Sequence, residues 1–322
     1  MCACYVVFRA IKCICTSPRN PIAEQSFDIV ISPMAFPNIV SPRVSVITSL
    51  SYDHMAVLGN TLALIAGEKA GIIKDGVPVV SAPQKDEALE VLVRVASQKN
   101  ADLTLVGKDV QVEPVSHSLD GQSFQLSTNL QPANLQPSNL LTFQLPLLGS
   151  HQIINAATAY AALKASGLEV PDEAIQAGFA RVQWPARFEI LRRNPPVVID
   201  SAHNRESALR LRQTLDDYFL GLPVIMIFCA LEDKDIAGML AELKPRLERV
   251  VATRADHPRA PSAKWIAEQV QQAGIPVETA TPASAALDRA LDLAEKRKLV
   301  LTAGSVAFAG EIRAAWYKKS SL

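Results

Sequence analysis

An α/β protein of two domains, the second a doubly wound parallel sheet, is what this sequence predicts. Three observations lead there. The chain of 322 residues exceeds one average domain. Short β-branched runs alternate with helical segments along most of its length, the pattern of a parallel sheet with helical crossovers. Polar and small residues gather just after the runs that read as strands, where open α/β sheets bind ligands. Composition fits: 49% hydrophobic and 20% charged residues describe a globular chain with a large core. Its 32 basic and 32 acidic side chains give a formal net charge of zero, so neither a nucleic-acid surface nor an acidic partner is expected. No apolar run is long enough to span a membrane.

The first segment is unlike the rest. Residues 1–20, MCACYVVFRAIKCICTSPRN, contain no acidic residue and hold Cys2, Cys4, Cys13 and Cys15 in two C-x-C pairs. That spacing departs from a zinc knuckle. Arg9, Lys12 and Arg19 meet the basic requirement of a transit peptide, but the segment lacks an amphipathic period. An irregular start to the chain is the simplest reading. Cys229, alone in the second half, is consistent with a reducing compartment and a cytoplasmic protein.

From Val44 to Lys74 the chain reads as strand, turn and helix. VSVIT suits a buried sheet position. Asn60 or Thr61 is placed to cap a helix built on Leu62, Leu64, Ile65, Ile72 and Ile73, with Gly71 near its end. Asp53 and His54 lie in the turn, and Glu68 and Lys69 interrupt the apolar helix. A neutral imidazole can ligate a metal, with Asp53 fixing its tautomer. A lysine enclosed by apolar neighbours loses its preference for the charged form. Its free amine can then take up carbon dioxide as a carbamate, whose oxygens suit Mg²⁺. A capped core helix with a surface Glu-Lys pair explains the same residues.

VPVVSAP then reads as a strand, KDEALEVLVRVASQKN as a helix and ADLTLVG as a strand. Residues 110–145 alternate like a hairpin or meander, interrupted by the polar repeat NLQPANLQPSNL. An Ala-rich helix follows in GSHQIINAATAYAALKASG, where ordinary N-terminal capping would account for His151 and Asn155. The boundary between domains falls in VQWPARFEILRRNPP. Beyond it, strands VVID, PVIMIFCA, RVVATR, PVETA and LVLTAG alternate with helices near 205–219, 236–247, 263–273 and 283–296, and a last helix follows Gly304.

The run VSVITSL..DH..LG.TL..IA.EKAGIIK closely resembles folylpolyglutamate synthase and dihydrofolate synthase, members of the Mur ligase superfamily. Further motifs of that family follow in order. Gly149, His151, Gln152 and Asn155 match its G-x-HQ-x-x-NAA signature. Trp184, Pro185 and Arg187 match WPGR, with Ala186 for glycine. Asp200 and His203 match DGAHN, with Ser201 for glycine. Lys234 and Asp235 match a DKD-type loop, Pro258, Arg259 and Ala260 a PRA turn, and Gly304 and Ser305 a GS turn.

The resemblance implies an atypical segment over 1–37 and a truncated P-loop-type Mur ligase central domain over 38–184. A Rossmann-like glutamate ligase domain would follow over 185–322. It implies a monomeric, ADP-forming ligase that joins L-glutamate to folate or dihydropteroate, with ATP as co-substrate and Mg²⁺. Under it His54 and carbamylated Lys69 serve the metal, and Lys69 and His203 serve catalysis. Asn155, Arg187 and Asp200 bind ATP; Asp200, His203 and Ser305 bind glutamate. Two departures stand out. No G-x-x-x-x-G-K-[ST] phosphate loop occurs in these residues, and the family's glutamate Mg²⁺ ligand has no counterpart in register, Asp28 being the nearest carboxylate. The chain is therefore expected to be weak or inactive alone. Two other functions stay open: a remnant that keeps nucleotide or glutamate binding without turnover, and a Mur-type ligase with another carboxylate acceptor. Ala186 for glycine matters only if that position needs a positive φ.

Overall fold

The computed structural model describes residues 41–52, 59–128, 140–295 and 297–320. Asp28, Asp53, His54, the cysteine-rich start and most of the NLQP repeat lie outside them. The described residues fall into two compact units, one ending at Gln183 and one beginning at Trp184.

In the first unit, β1 (Ser45–Ile47), α1 (Leu62–Ala70), β2 (Val79–Ser81), α2 (Asp86–Gln98) and β3 (Leu103–Leu105) follow one another. The strands pair in parallel in the order β1-β2-β3. The helices bury Leu62, Ile65, Val91 and Leu92 against Ile47 and Val79 in one core. Thr61, of the two capping candidates, is the one used: its hydroxyl accepts the Leu64 N–H at 3.2 Å, and Gly71 closes the helix. Gln84 fixes the exit of β1, donating to the Thr48 carbonyl at 2.9 Å while its side-chain oxygen accepts the Leu50 N–H at 2.9 Å.

The meander predicted for 110–145 is an antiparallel sheet of β4 (Val110–Ser118), β5 (Gly121–Thr128) and β6 (Leu141–Leu145). It packs on α3 (Ser150–Ala165) and α4 (Asp172–Ala180) through aromatic contacts. Phe143 lies 5.3 Å from Phe124 and 5.5 Å from both Tyr160 and Phe179, ring centre to ring centre.

The second unit runs β7 (Glu189–Arg193), β8 (Pro196–Ile199), α5 (Arg205–Tyr218), β9 (Val224–Phe228), α6 (Ile236–Leu243), β10 (Leu247–Ala252), α7 (Ala263–Gln272), β11 (Val277–Thr279), α8 (Ala283–Ala294), β12 (Leu299–Ala303) and α9 (Val306–Ser320). Its six strands are ordered β11-β10-β9-β12-β8-β7. β8 to β12 are mutually parallel, the doubly wound sheet that the alternation predicts. The last strand of the sequence inserts between the second and third of the unit, so the loops after β8, β12 and β9 stand side by side. β7 runs antiparallel to β8 and pairs Glu189 with Ile199, which brings the entry of β7 to the same edge as the exit of β8. β9 is buried at every position, as a strand covered on both faces requires.

Candidate functional site

Three sequence expectations for the first unit change on the structure: α1 ends at Ala70, so Ile72 and Ile73 lie past its Gly71 cap and Leu64 is exposed, and the other two concern Lys69 and the start of α3. Lys69 lies in the last turn of α1 and is half-buried rather than enclosed by apolar neighbours, and Glu68 beside it is exposed. The apolar pattern of α1 faces the core through Leu62, Ile65, Ala66 and Ala70, which leaves residues 67–69 toward its outer side. Helix capping does not explain His151 or Asn155. The cap of α3 is Gly149 at φ +100°, with no side-chain bond, and Asn155 sits in the second turn, where its amide donates to Gln152 at 3.2 Å. The Gly149 turn is held from β5 instead. The buried Gln122 amide donates to the carbonyls of Leu147 at 2.6 Å and Gly149 at 2.9 Å, which satisfies two backbone acceptors inside the fold. Among the described residues, no three His, Cys, Asp or Glu side chains gather as a metal cage. Lys69 is the one metal-associated position of the expected pair that is described, its partner His54 lying outside.

In the second unit the predicted residues come together. The loop Trp184–Phe188 precedes β7 and lies beside the segment after β8. Ala186 and Phe188 both adopt positive φ, +58° and +43°, flanking Arg187. The position that departs from glycine is thus one where glycine would be at ease. Left-handed backbone costs an L-residue roughly 1–2 kcal/mol. Two carboxylates hold it: the Ala186 N–H donates to Glu189 Oε2 at 2.7 Å, and the Phe188 N–H donates to Asp200 Oδ2 at 2.8 Å. Hydrogen bonds to charged groups contribute about 1.5–3 kcal/mol each, enough to offset the strain. The Arg187 guanidinium lies 5.0 Å from the centre of the Trp184 ring.

Asp200 also accepts the Ala202 N–H at 2.7 Å, so one side chain ties the β8 exit to the arginine loop. Burial pushes its carboxyl up, against the pull of the Arg187 charge, the Phe188 and Ala202 N–H groups and His203. His203 donates from Nδ1 to the Ser201 carbonyl at 3.0 Å, because a carbonyl oxygen can only accept. That fixes the ring and the tautomer of a neutral imidazole. Asn204 caps α5 reciprocally with Ser207.

The turn after β12 completes the cluster. Gly304 has φ +122°, its N–H donates to the Ala202 carbonyl at 2.8 Å, and a Cβ there would stand 2.3 Å from the Cys229 carbonyl oxygen. Only glycine fits between the β8 and β9 exits, and Ser305 follows it at the start of α9. The remaining motif residues are placed by ordinary local bonds. Asp235 caps α6 through the Gly238 N–H at 2.8 Å. Lys234 lies 3.8 Å from Asp233, and the Arg259 N–H donates to His257 Nδ1 at 3.1 Å. Arg187, Asp200, His203 and Ser305 therefore share one edge of one sheet, while Lys69 and Asn155 belong to the other unit. Pattern alone does not disclose Gln122 and Glu189. A glutamate two residues after the motif arginine is the one sequence signal for the latter.

Residues 26–163 match the Mur ligase middle domain, and residues 186–306 match the Mur ligase glutamate ligase domain. The chain is 34% identical over 231 residues to the dihydrofolate synthase/folylpolyglutamate synthase of Bacillus subtilis, covering 70% of this chain and 52% of that one. Among solved structures it is similar to Mycobacterium tuberculosis folylpolyglutamate synthase complexed with ADP. There the identity is 33% and the TM-score 0.76, over 86% of this chain and 64% of the other. It is also similar to Escherichia coli FolC in complex with DHPP and ADP, with 30% identity and a TM-score of 0.75 over 88% of this chain and 63% of the other. The chain spans about half the length of the bacterial curated relatives it matches, 52% for that of Bacillus subtilis and 51% for that of Escherichia coli. With matched domains in both units and relatives of one kind, the chain belongs to the Mur ligase family, in its branch of folylpolyglutamate and dihydrofolate synthases.

Proposed function

We propose that this chain carries the glutamate-adding chemistry of its family: an ADP-forming ligase that joins L-glutamate to the γ-carboxylate of a folate or, with dihydropteroate as acceptor, makes dihydrofolate. ATP would phosphorylate the acceptor carboxylate, the glutamate amine would attack the resulting acyl phosphate, and phosphate would leave. Such a reaction depends on positioning and on neutralising charge. The observation that carries the reading is the Arg187 loop, clasped by Glu189 and Asp200 beside His203. An arginine fork presented on a fixed loop suits phosphate oxygens.

In this reading residues 38–184 form the central domain and 185–322 the glutamate ligase domain. Arg187 and Asn155 hold the nucleotide, Asp200 contributes to nucleotide and glutamate binding, and His203 and Ser305 orient glutamate. Lys69, as a carbamate, and His54 would hold Mg²⁺, which supplies charge neutralisation when bound. A monomer in the cytoplasm completes the proposal; no helix among the described residues is long and apolar enough to cross a membrane.

Calorimetric titration with ADP tests the nucleotide part. Arg187→Ala is expected to weaken binding about 10-fold or more, the worth of a charge-assisted phosphate contact. Unchanged affinity in that variant would remove Arg187 from the nucleotide site.

A further inference from the structure

We propose that Glu189 is a positioning residue for Arg187 and that Arg313 holds it in place. The proposal rests on the reading of Arg187 as a phosphate-binding residue and deepens it. Glu189 opens β7, two residues beyond Arg187. Its Oε2 accepts the Ala186 N–H at 2.7 Å. The same carboxylate is gripped from α9: Arg313 Nε lies 2.9 Å from Oε1 and 2.8 Å from Oε2, and the Tyr317 hydroxyl lies 3.5 Å from Oε1. Arg313 is itself set by its guanidinium lying 4.8 Å from the Tyr317 ring centre. Glu189 keeps 18% of its side-chain surface exposed and Arg313 35%, so the pair is shielded but not sealed.

The consequence is mechanical. Ala186 is an L-residue at φ +58°, and its methyl packs in the core of this unit. It has no intrinsic reason to stay left-handed, and an extended or right-handed Ala186 would swing Arg187 off the Trp184 ring. The carboxylate on its N–H supplies the reason. Where the related motif has glycine, the backbone reaches the same conformation without help. In this chain the alanine makes the geometry depend on Glu189 and, through it, on a residue 124 positions later in the sequence. α9 is thereby tied to the arginine loop.

The test combines the NMR signal of the Arg187 Nε–H, which the Trp184 ring shifts upfield, with ADP titration. Glu189→Gln is expected to move that signal toward the position of an unstacked arginine and to weaken ADP binding about 10-fold. Adding Ala186→Gly should restore most of both, because glycine takes the turn unaided. In an Arg187→Ala background, Glu189→Gln should cost no further affinity. Arg313→Gln, remote from the loop, reads the brace from its other end and should shift the signal in the same direction. That variant also decides the matter if Glu189→Gln fails to fold. An unmoved Arg187 signal in both variants overturns the proposal. So does an equal loss of ADP affinity with and without Arg187, or a failure of Ala186→Gly to restore the signal, since each marks Glu189 as merely structural. Should Arg187→Ala itself bind ADP normally, the nucleotide reading falls, and the NMR signal alone judges the brace.

Discussion

Gly304→Ala is the substitution on which the geometry of the second unit bears hardest. Gly304 has φ +122°, a region closed to L-residues, and a Cβ would stand 2.3 Å from the Cys229 carbonyl oxygen, 2.8 Å from its carbon and 3.1 Å from the Phe228 ring. The backbone cannot retreat, because the Gly304 N–H is bonded to the Ala202 carbonyl at 2.8 Å on the other side. Strain of roughly 1–3 kcal/mol adds to overpacking of a similar size, giving about 4 kcal/mol in total. For a unit of this size that lowers the melting temperature by about 12 °C or more. The control is Gly310→Ala in α9, where nothing lies within 4 Å of the new methyl. That change should stabilise by about 0.5–1 kcal/mol through helix propensity alone. Both are read by thermal unfolding followed by circular dichroism. If Gly304→Ala melts with the wild type, the β12 exit is not wedged between its neighbours and the arrangement of the candidate site is wrong.

Burial raises the Asp200 carboxyl above its ordinary value of 3.8, so the folded protein keeps a proton that the unfolded chain has released. Its contribution to stability is therefore present below that value and declines as pH rises through the folded one. Urea midpoints measured from pH 4 upward should decline less in Asp200→Asn than in the wild type; a steeper decline in the variant contradicts the sign. Cys229 is fully buried and its thiol is pushed up by burial, so iodoacetamide at pH 8 should leave the Cys229 peptide unmodified until urea unfolds the protein. Labelling at the rate of a free thiol in the native state would contradict the packing of β9. Gln122→Ala leaves the buried Leu147 carbonyl without its donor, whereas the Gly149 carbonyl still accepts the Gln152 N–H at 2.9 Å, so the change should cost about 1–3 kcal/mol in urea unfolding; a loss under about 0.5 kcal/mol would mean that the Gly149 turn is held by something else.

The fold was legible wherever one face or one period decides the matter. The alternation after Trp184 named five parallel strands, because strands buried on both faces read as continuous apolar runs and β9 is such a run. Strand order was not legible: nothing local tells β12 to insert between β8 and β9, a choice made by packing among distant segments. Candidate residues at strand exits are marked by the motifs that resemble the Mur ligase family, and the alternation then places them where an open sheet binds ligands. The enclosure expected for Lys69 failed because hydropathy along α1 does not say which of its faces the core takes. Capping by His151 or Asn155 failed because the start of α3 is set by the positive φ of Gly149 and by Gln122 in another strand. The condition attached to Ala186 was readable as a condition only. That its φ is positive, and that Glu189 holds it there, are facts of tertiary structure. Gln122 and Glu189 look in sequence like the polar half of an alternating strand, the commonest and least informative setting for such residues.

The central claim is that this chain carries ligase chemistry, and glutamate-dependent ADP release from MgATP, with tetrahydrofolate or dihydropteroate as acceptor, tests it most directly. The account predicts release that is weak, as expected without a phosphate loop among these residues, but that requires both glutamate and a folate-type acceptor and falls to background in a His54→Ala, Lys69→Ala variant. A folded protein whose ADP release is absent, or is the same with and without glutamate, would contradict it.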